Sequence, residues 1–192
     1  DPRFVLFLEE LKVSKSMKQL LKKNDPIAIG FEFTINKDFV QVINNCKTIN
    51  RKGQDGTWIT DEVKKAYTLL HKKGIAHSAE VWKDGKLVGG LYGIRLGKIF
   101  FGESMFSRYS NASKYAFISY VKQLESQGVE LIDCQQNTRH LASLGAHEVS
   151  RSTFEQHLSR VSGEPDINDW TYDSRMWLQL DALQRSPLED GA

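Results

Sequence analysis

The feature that most restricts the fold is a pair of strand-like runs around Asp84-Gly85. Ala76-His-Ser-Ala-Glu-Val-Trp82 leads into this dipeptide and Lys86-Leu-Val-Gly-Gly-Leu-Tyr-Gly-Ile94 leaves it. Asp-Gly tolerates the two positive φ angles of a type I′ turn, whose twist suits a hairpin. Leu96-Gly97 turns the chain again into Lys98-Ile-Phe-Phe-Gly102, so three antiparallel strands are expected. A helix should follow, with Asn111 as its cap, Ala116, Phe117, Tyr120, Val121 and Leu124 as its apolar stripe, and Gly128 just past its end. Val129 to Gln135 then reads as a short apolar strand. Strands, a crossing helix and a further strand make a mixed α/β sheet with helices packed on it.

The flanking segments extend this core. Ser14 or Ser16 can cap a short helix through Met17, Leu20 and Leu21, and Ile27 to Ile35 reads as a strand with Phe31, Phe33 and Ile35 on one face. Asn36 is expected to cap a helix whose stripe is Phe39, Val40, Ile43 and Cys46. Lys47 to Gly56 is polar and glycine-bearing, hence a loop, while Thr60-Asp-Glu62 opens a helix that Gly74 closes. Leu141 to Leu144 and Thr153 to Leu158 are expected to form two short helices. Beyond Gly163 the pattern is weak, with Trp170, Tyr172, Met176 and Trp177 as anchors for a docked tail.

With 40% apolar and 26% charged residues over 192 positions, the chain can bury a core, and one domain is expected over residues 1–162. No apolar run approaches the roughly 20 residues that span a bilayer, and Asp1 to Glu10 lacks the pattern of a signal peptide. Cys46 and Cys134 are the only cysteines, which excludes a disulfide scaffold and a cysteine zinc module; a reduced cytoplasmic protein is expected. The net charge of +2 is unevenly spread. Lys12, Lys15, Lys18, Lys22 and Lys23 occur in a segment with no acid, whereas residues 163–192 form an acidic tail in which seven acids face only Arg175 and Arg185. The basic segment is either a polyanion footprint or an ordinary solvated helix face.

Several side chains are candidates for chemistry. Asp133 and Gln135, two apart on the expected strand, should share one face, with Ile132 and Cys134 on the other. A carboxylate and an amide on one face can accept a proton and steer a nucleophile; a solvent-exposed strand end would look the same. Glu103 should leave its strand on the parity of Ile99 and Phe101. Cys134 with His140 is the rival thiolate–imidazole pair, although a buried small hydrophobe is the expected role of Cys134. His71, His77, His140, His147 and His157 form no metal-ligand spacing, so no metal is expected. The serines sit in no nucleophile elbow. Trp58, closing a glycine-bearing loop at a helix lip, stands apart from the aromatics expected in the core.

The element order resembles the acetyltransferase-like (GNAT-type) fold, a likeness that does not assign chemistry. The expected strand-to-helix junction, Glu103 to Ser110, has no glycine with which to cradle a pyrophosphate, which disfavours coenzyme A. Longer blocks are more specific. Asp1-Pro-Arg3, Ser14-Lys-Ser-Met17, Gly56-Thr-Trp-Ile-Thr60, His77-Ser78 with Glu80-Val-Trp82, Leu87-Val-Gly-Gly90 with Tyr92-Gly93, Phe101-Gly-Glu-Ser-Met-Phe-Ser-Arg108, Asn111-Ala-Ser-Lys114, Leu131-Ile-Asp-Cys-Gln135 and His140-Leu-Ala-Ser-Leu-Gly-Ala146 run in one order to about residue 160. Through these blocks the sequence resembles the leucyl/phenylalanyl-tRNA–protein transferases.

That resemblance implies an enzyme that moves Leu or Phe, and less well Met, from aminoacyl-tRNA to acceptor proteins with N-terminal Arg or Lys, marking them for N-degron degradation in bacteria. It implies Asp133 and Gln135 as the catalytic pair with Glu103 at the aminoacyl site, and Trp58, Leu91, Met105, Phe117 and Ile132 as the aminoacyl pocket. It puts the acceptor stem of the tRNA on Lys15, Lys18, Lys22 and Lys23, with no cofactor. It also implies a Trp-rich segment ahead of Asp-Pro-Arg, and the acidic end departs from the family pattern. Two other readings are a different acyl transferase of this fold and an inactive tRNA-binding module. Chemically, an aminoacyl ester is already activated, so aminolysis needs positioning and an unprotonated amine rather than a metal.

Overall fold

The structure, a computed structural model, describes residues 2–22, 30–50, 56–161, 163 and 170. Among these residues a seven-stranded sheet carries six α-helices. The strands are β1 (Arg3–Phe7), β2 (Glu32–Ile35), β3 (Ala76–Lys83), β4 (Lys86–Leu96), β5 (Ile99–Ser107), β6 (Leu131–Asp133) and β7 (His147–Val149). The helices are α1 (Lys15–Lys22), α2 (Phe39–Thr48), α3 (Asp61–Lys72), α4 (Ala112–Ser126), α5 (Arg139–Ser143) and α6 (Arg151–Val161). The sheet order is β2-β3-β4-β5-β6-β1-β7, antiparallel throughout except for the parallel β5–β6 pair. The expected acetyltransferase-like order is therefore present, with α4 crossing between β5 and β6.

The local signals account for much of this. Asp84 and Gly85 have φ of 50° and 71°, the paired positive values of the expected hairpin turn. Thr60 caps α3 by accepting from the Val63 N–H, and Ser14 caps α1 by accepting from the Met17 N–H. In α2 the cap is Asp38, not Asn36, because Asn36 takes a left-handed φ of 58° and leaves the strand. The buried stripe is consequently Phe39, Val42, Ile43 and Cys46, and Val40 faces solvent. The segment expected as a loop from Lys47 begins later, since α2 runs to Thr48. Asn111 does precede α4, but in a left-handed conformation with no side-chain cap bond.

Two strands, β1 and β7, have no counterpart in the sequence reading. β1 inserts between β6 and β7, pairing Val5 with Asp133 on one side and with His147 on the other. One sheet face packs α1 and α4 through Met17, Leu21, Phe117 and Val121 onto Phe4, Leu6, Leu91, Phe100 and Ile132. The other face is covered in two patches, by α2 and α3 over Tyr92 and by α6 over Val5, Ile99 and Leu131. Gly163 and Trp170 apart, the acidic segment and its anchors Tyr172, Met176 and Trp177 lie outside the described residues, as do Lys23 and residues 27–29. Trp170 stacks on His77 with ring centroids 3.7 Å apart. No described helix is long and apolar enough to cross a membrane.

Candidate functional site

The site forms where two paired strands separate. β5 and β6 are in register only over Ile99–Phe101 and Leu131–Asp133; β6 then ends while β5 continues to Ser107. The expected strand-to-helix junction from Glu103 is therefore mostly strand. It also contains a β-bulge: Gly93 pairs with Gly102 and Tyr92 with Ser104, which leaves Glu103 as the extra residue of β5. A bulge reverses side-chain parity beyond it. Met105 thus points to the face of Phe100 and packs in its core cluster, whereas Glu103, the extra residue itself, lies near Tyr67 of α3 on the opposite face, the one that simple alternation gives it.

Into this gap opens a cavity of about 510 Å³. Its wall includes Trp58, Leu91, Met105, Phe117 and Ile132, the five residues expected for an aminoacyl pocket, together with Glu103 and Gln135. Phe100, Tyr120 and Leu141 add further apolar surface, and Ser104, Thr138 and His140 add polar groups. That composition suits a small ligand with an apolar end and a few fixed polar contacts. Among the described residues no cluster of three or more metal-ligating side chains occurs.

Asp133 lies elsewhere than its expected position. It does not line the cavity; its side chain is fully buried behind the wall, paired with Arg3 of β1. Alternation in β6 gives Asp133 the face opposite Ile132, which lines the cavity; Gln135, past the end of β6 with a left-handed φ of 61°, no longer shares the face of Asp133. Ile132 and Cys134 do share the opposite face, as expected, and both line the cavity. The backbone kink swings the Gln135 side chain back toward β5. Its Nε2 donates to the Gly102 carbonyl at 3.1 Å and approaches Glu103 Oε2 at 3.5 Å, while the Gln135 N–H donates to Asp133 Oδ1 at 3.0 Å. Asp133 is thus tied to the cavity through the backbone of Gln135.

Burial sets the protonation states around the cavity. The Cys134 thiol is pushed up to about 12, first by burial and then by the charge of Asp133, so it is a thiol at neutral pH. A covalent mechanism through Cys134 and His140 loses its nucleophile on that ground. Burial, and secondarily Lys114, pulls His140 below the ordinary histidine value, which leaves it neutral. Burial, and secondarily the nearby Glu103 carboxylate, raises the phenol of Tyr67 on α3. Neither Tyr67 nor Arg3 stands out by sequence pattern; only Arg3 carries a hint, inside Asp-Pro-Arg.

Lys15 and Lys18 lie on α1, exposed and partly exposed, while its buried side is Met17 and Leu21. The side chain of Lys22 and all of Lys23 fall outside what the structure describes. α1 packs in the same cluster as Leu141 of α5, a residue of the cavity wall, so the basic helix and the cavity are joined by one apolar layer.

A model of the family "Leucyl/phenylalanyl-tRNA protein transferase" matches residues 5–159. The leucyl/phenylalanyl-tRNA–protein transferase of Methylibium petroleiphilum is 48% identical over 180 residues, which cover 94% of this chain and 68% of that one. The enzyme of the same name from Christiangramia forsetii is 55% identical over 156 residues, covering 80% of this chain and 71% of that one. Among solved structures, a predicted acetyltransferase from Clostridium acetobutylicum is similar with a TM-score of 0.41 at 10% identity, over 73% of this chain and 94% of that chain. With a family match over most of its length and relatives near half identity, the chain belongs to the leucyl/phenylalanyl-tRNA–protein transferase family and is an aminoacyltransferase.

Proposed function

We propose that this chain transfers Leu or Phe, and less readily Met, from aminoacyl-tRNA to the N-terminal Arg or Lys of acceptor proteins, marking them for N-degron degradation. The observation that carries this reading is the cavity: an apolar wall of Leu91, Met105, Phe117 and Ile132 with Glu103 and Gln135 at its polar side. The amino-acid side chain enters the apolar end and its ester carbonyl lies near Gln135. The acceptor amine forms the new C–N bond, the bond from the carbonyl carbon to the tRNA 3′-oxygen breaks, and the amine's proton ends on that oxygen. Glu103 is the acid placed to hold the acceptor's positive end and take up the proton in passing. Asp133 does not meet the substrate in this scheme; it holds Gln135.

The basic segment that holds Lys15, Lys18, Lys22 and Lys23, the first two of them on described positions of α1, receives the acceptor stem. We assign residues 1–162 to the transferase domain and 163–192 to an acidic tail. A reaction that consumes charged tRNA places the protein in the cytoplasm. The test is transfer from tRNA charged with Leu, Phe, Met, Asp or Lys to a peptide beginning with Arg, read by mass. Leu and Phe should transfer, with leakage to Met, because an apolar pocket separates one methylene by only roughly 1–3 kcal/mol. Efficient transfer of Asp or Lys, or none of Leu and Phe, would overturn the reading.

A further inference from the structure

We propose that Arg3 is a positioning residue of the transfer site, acting through Asp133 on Gln135; this rests on the transferase reading above. The Asp133 carboxylate has each oxygen engaged on a different side: Oδ2 pairs with the Arg3 guanidinium and Oδ1 accepts the Gln135 N–H. Its side chain is fully buried, whereas that of Arg3 remains 33% exposed. A buried carboxylate requires a counter-charge, and Arg3 supplies it.

Arg3 is itself held in place. It belongs to β1, paired with Val149 of β7, and its guanidinium lies 5.4 Å from the centre of the Phe154 ring on α6. At the other end, Gln135 adopts a left-handed φ of 61°, a conformation that a non-glycine residue keeps only when its surroundings impose it. The bond to Asp133 is one such restraint. It sets the direction from which the Gln135 amide reaches Gly102, Glu103 and the cavity. The strut thus runs from the strand that neighbours β6 in the sheet, through a buried ion pair, to a side chain in the cavity wall. Arg3 touches neither substrate, so its effect is on geometry.

The experiment is steady-state transfer of Leu to an Arg-starting peptide by the full chain and its Arg3 variants, well below their melting temperatures. Arg3→Met should lower kcat by about 10²-fold, the cost of roughly an ångström of misplacement. KM for the aminoacyl-tRNA should stay within about twofold, because its contacts lie elsewhere. Arg3→Lys, which keeps the charge but lacks the planar fork, should recover part of the loss. In an Asp133→Asn background, adding Arg3→Met should cost nothing further, since the ion pair through which Arg3 acts is already broken. That comparison also stands if Arg3→Met alone fails to fold, as the double variant strands no buried charge. An active wild type with unchanged kcat in Arg3→Met would overturn the proposal alone. So would a further tenfold fall on adding Arg3→Met to Asp133→Asn. A wild-type chain that transfers nothing would overturn the transferase reading and this proposal with it.

Discussion

Alanine at Gly93 and alanine at Gly102 should give opposite results, although the two glycines face each other across β4 and β5. A Cβ built on Gly93 would lie 2.1 Å from the Phe101 carbonyl oxygen and 2.5 and 2.8 Å from two carbons of the Phe100 ring. The first of these is more than an ångström inside ordinary contact, and the obstacle is backbone, so β4 and β5 must part at the bulge. Overpacking a core costs about 1–3 kcal/mol. Loss of a ladder hydrogen bond beside it adds about 1 kcal/mol. Gly93→Ala should therefore destabilise the chain by about 2–4 kcal/mol, and for a domain of this size lower Tm by roughly 4–16 °C. A Cβ on Gly102 meets only the Asp133 carbonyl oxygen at 3.5 Å and Ile132 Cγ2 at 3.9 Å. Because alanine is also stiffer than glycine in the unfolded chain, Gly102→Ala should stay within about 1 kcal/mol of wild type. Urea unfolding of the three proteins, compared at equal slope, measures both differences. Equal effects at the two positions, or a Gly93→Ala variant within about 1 kcal/mol of wild type, would refute the assigned register at the bulge.

Three further outcomes follow from the same geometry. Asp133→Asn keeps an acceptor for the Gln135 N–H but loses the charge paired with Arg3; transfer should fall about 10²-fold. Binding of tRNA, which phosphate contacts supply, should barely change, and wild-type kcat in this variant would remove Asp133 from the mechanism. Replacing both Lys15 and Lys18 by Ala should weaken tRNA binding similarly for any sequence and reduce the salt slope by about two units, one per phosphate contact; an unchanged slope leaves α1 a plain solvated face. Cys134, with a thiol pushed up to about 12, carries almost no thiolate at pH 7.5, so iodoacetamide should label its peptide slowly and faster as pH rises toward 12. Rapid labelling of the folded chain at pH 7.5 would show the site more open than its burial implies.

The sequence by itself determined what short-range chemistry controls. Asp84-Gly85 specifies the hairpin, Thr60 and Ser14 mark helix starts, and the run from β3 to β6 is legible from turns and apolar period alone. The residue types of the cavity wall were legible too, through blocks matching a family. Tertiary structure decided the rest, because it depends on partners far apart in the chain. β1 is one arginine and four apolar residues with no turn or period of its own until β6 and β7 flank it. The parity of Met105 depends on a bulge that exists only in the pairing of β5 with β4. Asp133 faces away from the cavity by the alternation that points Ile132 into it, while Gln135, past the strand end, turns left-handed and returns to the cavity wall. The counter-ion of Asp133 is 130 residues distant, and no periodicity within either segment could join them.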